Sequence, residues 1–102
     1  MHVIAKKRFL EAARKYPNDA QAIMDTYTAL NKSNCKDAHE LLTIFPTLER
    51  FKYKKDWYVI DIAGNNIRMM AIIFFKGQKV YIKHIVAHKE YDKLTEKYAK
   101  KG

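Results

Sequence analysis

Four basic or imidazole side chains interrupt the most apolar stretch of this 102-residue sequence, and their types suggest a chemistry. Between Asn65 and Asp92, two β-branched, apolar runs flank Lys76-Gly77-Gln78, and Arg68, Lys83, His84 and His88 stand within them. An arginine buried in a sheet is costly unless an anion meets it, and its planar guanidinium grips phosphate in bidentate fashion. Histidine, with an ordinary pKa of about 6.5, can give or take a proton near neutral pH. RNA can be cut with such groups alone, its own 2′-hydroxyl attacking the adjacent phosphate. That route needs a base for the 2′ proton, an acid for the departing 5′ oxygen and cations for the phosphorane charge. The sequence offers no carboxylate cluster of the kind that holds magnesium, so neither a metal site nor a cofactor is expected.

Each of these residues also has a plainer reading. Arg68 could pair with Asp61 across the hairpin as a structural bridge, and His88 could cap the helix that follows it. His84 reads as a satisfied sheet histidine, and His2 and His39 stand alone. Trp57, Phe74 and Phe75 read as core, and Met69-Met70 as apolar filler.

The elements that must position these groups can be read from periodicity. His2–Ile4 is a short strand. Phe9, Ala12, Ala13 and Tyr16 recur at helical spacing, predicting a helix from about Lys6 to Lys15 that Pro17-Asn18 ends. A second helix carries Ala20, Ile23, Met24, Tyr27 and Leu30 on one side, with Asn18 and Gln21 as a capping pair. Asp37 with Glu40 caps a third, through Leu41, Leu42 and Phe45, and Pro46 stops it. Trp57–Ile62 is then a strand, and Gly64-Asn65 supplies a hairpin turn. Ile67–Phe75 is a central strand covered on both faces, Val80–Ala87 the next strand, and Glu90–Lys100 a polar helix. Helices, an antiparallel meander and a closing helix make an α+β fold, in one domain over residues 1–102. Strict alternation places Arg68 with Met70, Ile72 and Phe74. It also sets Tyr81 and Lys83 against Val80, Ile82, His84 and Val86, so Lys83 and His84 should serve different places.

Charge narrows the partner. Net charge is +9, but residues 1–50 carry 8 basic and 6 acidic groups, and residues 51–102 carry 12 and 5. The positive field lies mainly with the hairpin half, as a polyanion partner requires. A membrane surface is disfavoured because the cations sit among strands and not on one amphipathic helix. No apolar run reaches the roughly 20 residues of a membrane span, and the amino terminus lacks a secretory signal, which points to the cytoplasm. Cys35 is alone, so no disulfide framework is expected.

In this order, the opening Met-His-Val-Ile, Phe45-Pro46-Thr47-Leu48, Phe51-Lys52-Tyr53, Gly64-Asn65-Asn66-Ile67-Arg68 and His88-Lys89-Glu90-Tyr91-Asp92 resemble the RelE/ParE-like toxins of bacterial type II toxin–antitoxin systems. The resemblance is to their HigB branch, which carries extra amino-terminal helices, and it covers nearly the whole chain. It implies an endonuclease that cuts mRNA on the translating ribosome. It also implies neutralisation by a helix-turn-helix antitoxin of the HigA type, in a complex able to bind operator DNA. Carried over by position, it makes Arg68, His88 and Tyr91 the catalytic set. Lys52 and Lys54 resemble lysines that precede the sheet in some relatives, and with Lys83 and Lys89 they would hold the RNA backbone. Tyr91 would stack on a base or donate a proton. Three alternatives remain: a gyrase-directed toxin of the same superfamily, a non-catalytic double-stranded-RNA-binding module, and an adaptor whose aromatics bind a partner. Lys89 is followed by Glu90 and Asp92, not by further lysines, which weakens the RNA-module reading.

Overall fold

The computed structural model describes residues 1–101. In chain order they form β1 (His2–Ile4), α1 (Lys6–Lys15), a 3₁₀ turn (Pro17–Asp19), α2 (Ala20–Lys32), α3 (Ala38–Ile44), β2 (Glu49–Arg50), β3 (Trp57–Ile62), β4 (Ile67–Phe74), β5 (Lys79–Ala87) and α4 (His88–Lys101). The α+β class and the helix–meander–helix order are as the sequence predicts. The sheet itself is mixed. Its order is β1-β5-β4-β3-β2, with β3, β4 and β5 antiparallel and β1 added in parallel alongside Lys79–Tyr81 of β5. Alternation within a strand carries no information about its partner, so the sequence offered no sign of this pairing.

Strand β4 explains its own composition. Its odd positions Ile67, Met69, Ala71 and Ile73 join Phe9, Ile23, Leu30 and Leu41 in a core under α1, α2 and α3. Met70 faces the other way, into a smaller core with Phe51, Val59, Val86 and Tyr91, against which Leu94 and Tyr98 of α4 pack. A strand buried on one face throughout and on the other at Met70 reads as almost continuously apolar, although Ile72 is only half-buried and Phe74 is open on that second face. Each fully buried side chain of this kind contributes roughly 1.5–3 kcal/mol from leaving water.

The local signals have mixed outcomes. Asp37 caps α3, its carboxylate accepting from the Glu40 N–H at 3.0 Å, while Glu40 reaches back to the Lys36 N–H at 2.7 Å. The Asn18–Gln21 pair does not form, because Asn18 lies inside the 3₁₀ turn and Gln21 donates to Asp25 at 2.8 Å instead. The β3–β4 turn takes its positive φ angles at Ala63 and Gly64, not at Asn65, and the next turn at Gln78, not Gly77. Helix α4 begins at His88, two residues earlier than expected. Phe75 and Trp57 pack against the cores, but Phe74, expected to be core, is 44% exposed. It is the last residue of β4, opposite Lys79.

Candidate functional site

Arg68 leaves β4 opposite Asp61 of β3 and Val86 of β5, so one end of the sheet presents it to the face that α4 covers. Its Nε stands 3.5 Å from Asp61 Oδ1, with the two side chains 18% and 21% exposed. The ion pair foreseen as the structural reading is therefore present. It is an imperfect one, since the buried Nε makes no hydrogen bond. On its other side the guanidinium lies 4.7 Å from the centre of the Tyr91 ring, a cation–π contact with a nearly buried aromatic. With Nε turned to Asp61, the terminal Nη groups are the ones left to meet an anion.

His88 stands at the same end, two residues beyond Val86. Its backbone N–H donates to the Asn66 carbonyl at 3.2 Å, tying the start of α4 to the β3–β4 loop. The side chain does not cap the helix. Its Nε2 lies 3.4 Å from Asp92 one turn on, and both groups are about half exposed or more. Tyr91, on the first turn of α4, is buried with its ring under Arg68, which leaves no open face for a base. Arg68, His88 and Tyr91 are thus gathered at one end of the sheet by β4, the β5–α4 junction and the first turn of α4. Lys89 is exposed beside them.

The lysines sort into two places. Strand β2, which no sequence signal suggested, pairs with β3 (Arg50 opposite Tyr58) and turns residues 51–56 into a hairpin loop carrying Lys52, Lys54 and Lys55. Lys52 lies over the Tyr53 ring and lines a cleft with Glu49, Arg50, Tyr53, Thr95 and Tyr91, the residue whose ring lies under Arg68. Lys54 lies over the Tyr98 ring instead, about 10 Å further along α4 at 1.5 Å per residue. There Tyr98, Trp57 and Phe51 form an edge-to-face aromatic group, and the Tyr98 hydroxyl meets His84 Nε2 at 2.9 Å.

Strict alternation on β5 fails at Lys83. Met70 pairs with His84 but Ala71 pairs with Ile82, so Lys83 is the extra residue of a β-bulge. Before the bulge, Val80 and Ile82 face the α1–α2 core; after it, His84 and Val86 face the Arg68 side. The separation of Lys83 from His84 also gives way, because both line one shallow depression beside Arg8 and Lys15 of α1. The Arg8 guanidinium donates there to the Lys83 carbonyl at 3.3 Å.

Burial pushes the His84 pKa below 6.5, and the Arg8 charge adds to the effect, opposed by Glu90. The unfolded chain therefore takes up this proton first as pH falls. Stability contributed by neutral His84 should be intact above about pH 6.5 and decline on acidification toward the lower folded-state pKa. Melting curves between pH 7.5 and 5 should show a shallower acid loss for His84→Gln, which keeps a polar partner for Tyr98 but does not titrate. Identical slopes would remove His84 as the cause.

Among the described residues no three His, Cys, Asp or Glu side chains converge as metal ligands, and no helix is long and apolar enough to cross a membrane. Cys35 is buried, and burial pushes its thiol pKa up.

The sequence model of the HigB toxin family, described as the RelE-like toxic component of a toxin–antitoxin system, matches residues 19–94. The chain is 47% identical over 98 residues to a protein of Escherichia coli O6:H1 named mRNA interferase HigB, covering 96% of this chain and 95% of that one. It is 37% identical over 102 residues to a protein of the same name from Shigella flexneri, covering 100% and 98%.

Proposed function

The chain belongs to the HigB family of RelE-like toxins, and from that membership we propose that it is an mRNA endonuclease that arrests growth by cutting transcripts engaged on the ribosome. One toxin domain spans residues 1–102, and a helix-turn-helix antitoxin, encoded alongside and acidic where it touches this +9 chain, neutralises it. The support for RNA cleavage is the name that relatives matching nearly end to end carry, mRNA interferase. The support for the site is the convergence of Arg68, His88 and Tyr91 at one end of a basic sheet.

The chemistry these groups suit is transesterification within the RNA. The 2′ oxygen forms a bond to phosphorus, its proton leaves to a base, and the bond from phosphorus to the 5′ oxygen breaks as an acid supplies that oxygen with a proton. A 2′,3′-cyclic phosphate and a 5′-hydroxyl end result. Arg68 binds the non-bridging oxygens through its Nη groups, where charge accumulates. His88, half exposed at the same end of the sheet, moves a proton. Tyr91 acts as a positioning residue, its ring holding the guanidinium in place. Lys52 and Lys89 steer the backbone, and Lys54 and Lys83 hold it further along the face.

Induced expression should stop growth and generate new transcript 5′ ends within coding regions, with cyclic phosphate on the upstream fragments. Co-expression of the neighbouring helix-turn-helix protein should restore growth. Unimpaired growth with soluble, folded protein would sink the proposal, and 3′-hydroxyl products would sink its chemistry.

A further inference from the structure

The face of the sheet that carries Arg68 is only half covered. Against α4, Met70 and Val86 are buried; further along the same face Ile72 and Tyr81 are half-buried, and Phe74 is 44% exposed. The cover ends at Tyr98, the last aromatic of α4, which meets Trp57 and His84. Beyond it Phe74 and Tyr81 stand as an edge-to-face pair with ring centres 5.8 Å apart. At six residues from Arg68, this pair lies about 20 Å from the candidate cleavage end.

Its surroundings are cationic. Lys76, Lys79 and Lys83 fall in a stretch with no acidic residue, and the fold adds the exposed Asp56 at the adjoining end of β3, its carbonyl accepting from the Ile73 N–H at 3.0 Å. Lys79 is the register partner of Phe74, and Lys83 is pushed out of the ladder by the bulge two residues after Tyr81. One exposed and one half-buried aromatic ring on a sheet face, flanked by lysines that outnumber the neighbouring carboxylate of Asp56, form the arrangement on which unstacked bases of single-stranded nucleic acid stack while their phosphates are held. The rings lie on the sheet face that carries Arg68, which favours RNA over an acidic protein segment as their occupant.

We propose that Phe74 and Tyr81 form a base-stacking platform for single-stranded RNA, separate from the Arg68 end and flanked by Lys79 and Lys83. It deepens the RNA-cleaving reading given above, by adding a second contact that fixes where along the strand the RNA lies. The sequence disguised it, because Phe74 closes a run of apolar residues most of which are buried.

The test is binding of the whole protein to a fluorescent 2′-O-methyl RNA oligonucleotide, which cannot be cut by 2′-hydroxyl attack. Phe74→Ala and Tyr81→Ala should each weaken binding by roughly five- to a hundred-fold, the range for losing one stacked base. Phe74→Trp should restore it, since any aromatic face serves, and the oligonucleotide annealed to its complement should bind no more weakly to Phe74→Ala than to wild type. Phe74 is exposed, so its alanine variant should keep its fold, checked by its melting temperature. Unchanged affinity in both alanine variants, or no binding by wild type, overturns the platform. So does loss of antitoxin binding by Phe74→Ala with oligonucleotide affinity intact, which would make the patch a protein-docking surface. Transcript cleavage in cells is scored separately. Cleavage without any Phe74 effect on binding removes the platform and leaves the nuclease; Phe74-dependent binding without cleavage does the reverse.

Discussion

Replacing Arg68 by alanine should abolish growth arrest, lowering transcript cleavage by on the order of a hundred- to a thousand-fold, as loss of one group that meets developing charge does. The same change should also lower stability. Arg68 lies between Asp61 at 3.5 Å and the Tyr91 ring at 4.7 Å, so alanine orphans a carboxylate and removes a cation–π contact. Both side chains keep about a fifth of their exposure, so the loss should fall below the roughly 3–5 kcal/mol of a fully buried pair. About 1–2 kcal/mol is expected, a drop in melting temperature of roughly 4–8 °C per kcal/mol. Two variants separate the chemical effect from the structural one. Arg68→Lys retains the charge beside Asp61 but loses the planar fork, so it should stay near wild type in stability and still fail to cut. Asp61→Asn should lose stability and keep cleavage within a few-fold. An Arg68→Lys protein that is stable and fully toxic would remove Arg68 from the cleavage chemistry.

His88→Ala should give the cleaner result. General acid–base groups contribute about a hundred- to ten-thousand-fold to rate, so transcript cleavage should fall by that amount. Stability should hardly move. The side chain's ion pair is with Asp92, at 3.4 Å and with both partners well exposed, and such pairs are worth at most about 1 kcal/mol. The backbone N–H that binds the Asn66 carbonyl survives the substitution. Asp92→Asn is the control: it removes the ion pair and should retain cleavage within a few-fold. If Asp92→Asn loses as much activity as His88→Ala, the pair acts by holding the α4 end in place and His88 is not the proton carrier.

Some of the candidate site was legible because its signals are local. Arg68 within an apolar run, and His88 where strand gives way to helix, could be singled out by type and place alone. Its rival Asp61 could be named as well, because a short hairpin fixes register. Beyond that range, single-residue detail decided the outcome. The bulge at Lys83 reversed the face of His84, since an extra residue shifts every later side chain of a period-two strand to the opposite side. The two-residue β2, too short to show alternation, gathered Lys52, Lys54 and Lys55 onto one loop.

The sequence by itself determined the class of the fold, the identity and order of most elements, and the basic character of the hairpin half, because periodicity, capping and charge are written over a few neighbouring residues. The tertiary structure alone decided what those residues meet. It brought β1 beside β5 in parallel across 77 positions of chain, and laid the Tyr91 ring under Arg68. It also ended the cover of α4 at Tyr98, so that Phe74 is open to solvent. Such pairings depend on how separate apolar faces pack to exclude water, and side chains far apart in the chain leave no trace of that in one another's local pattern.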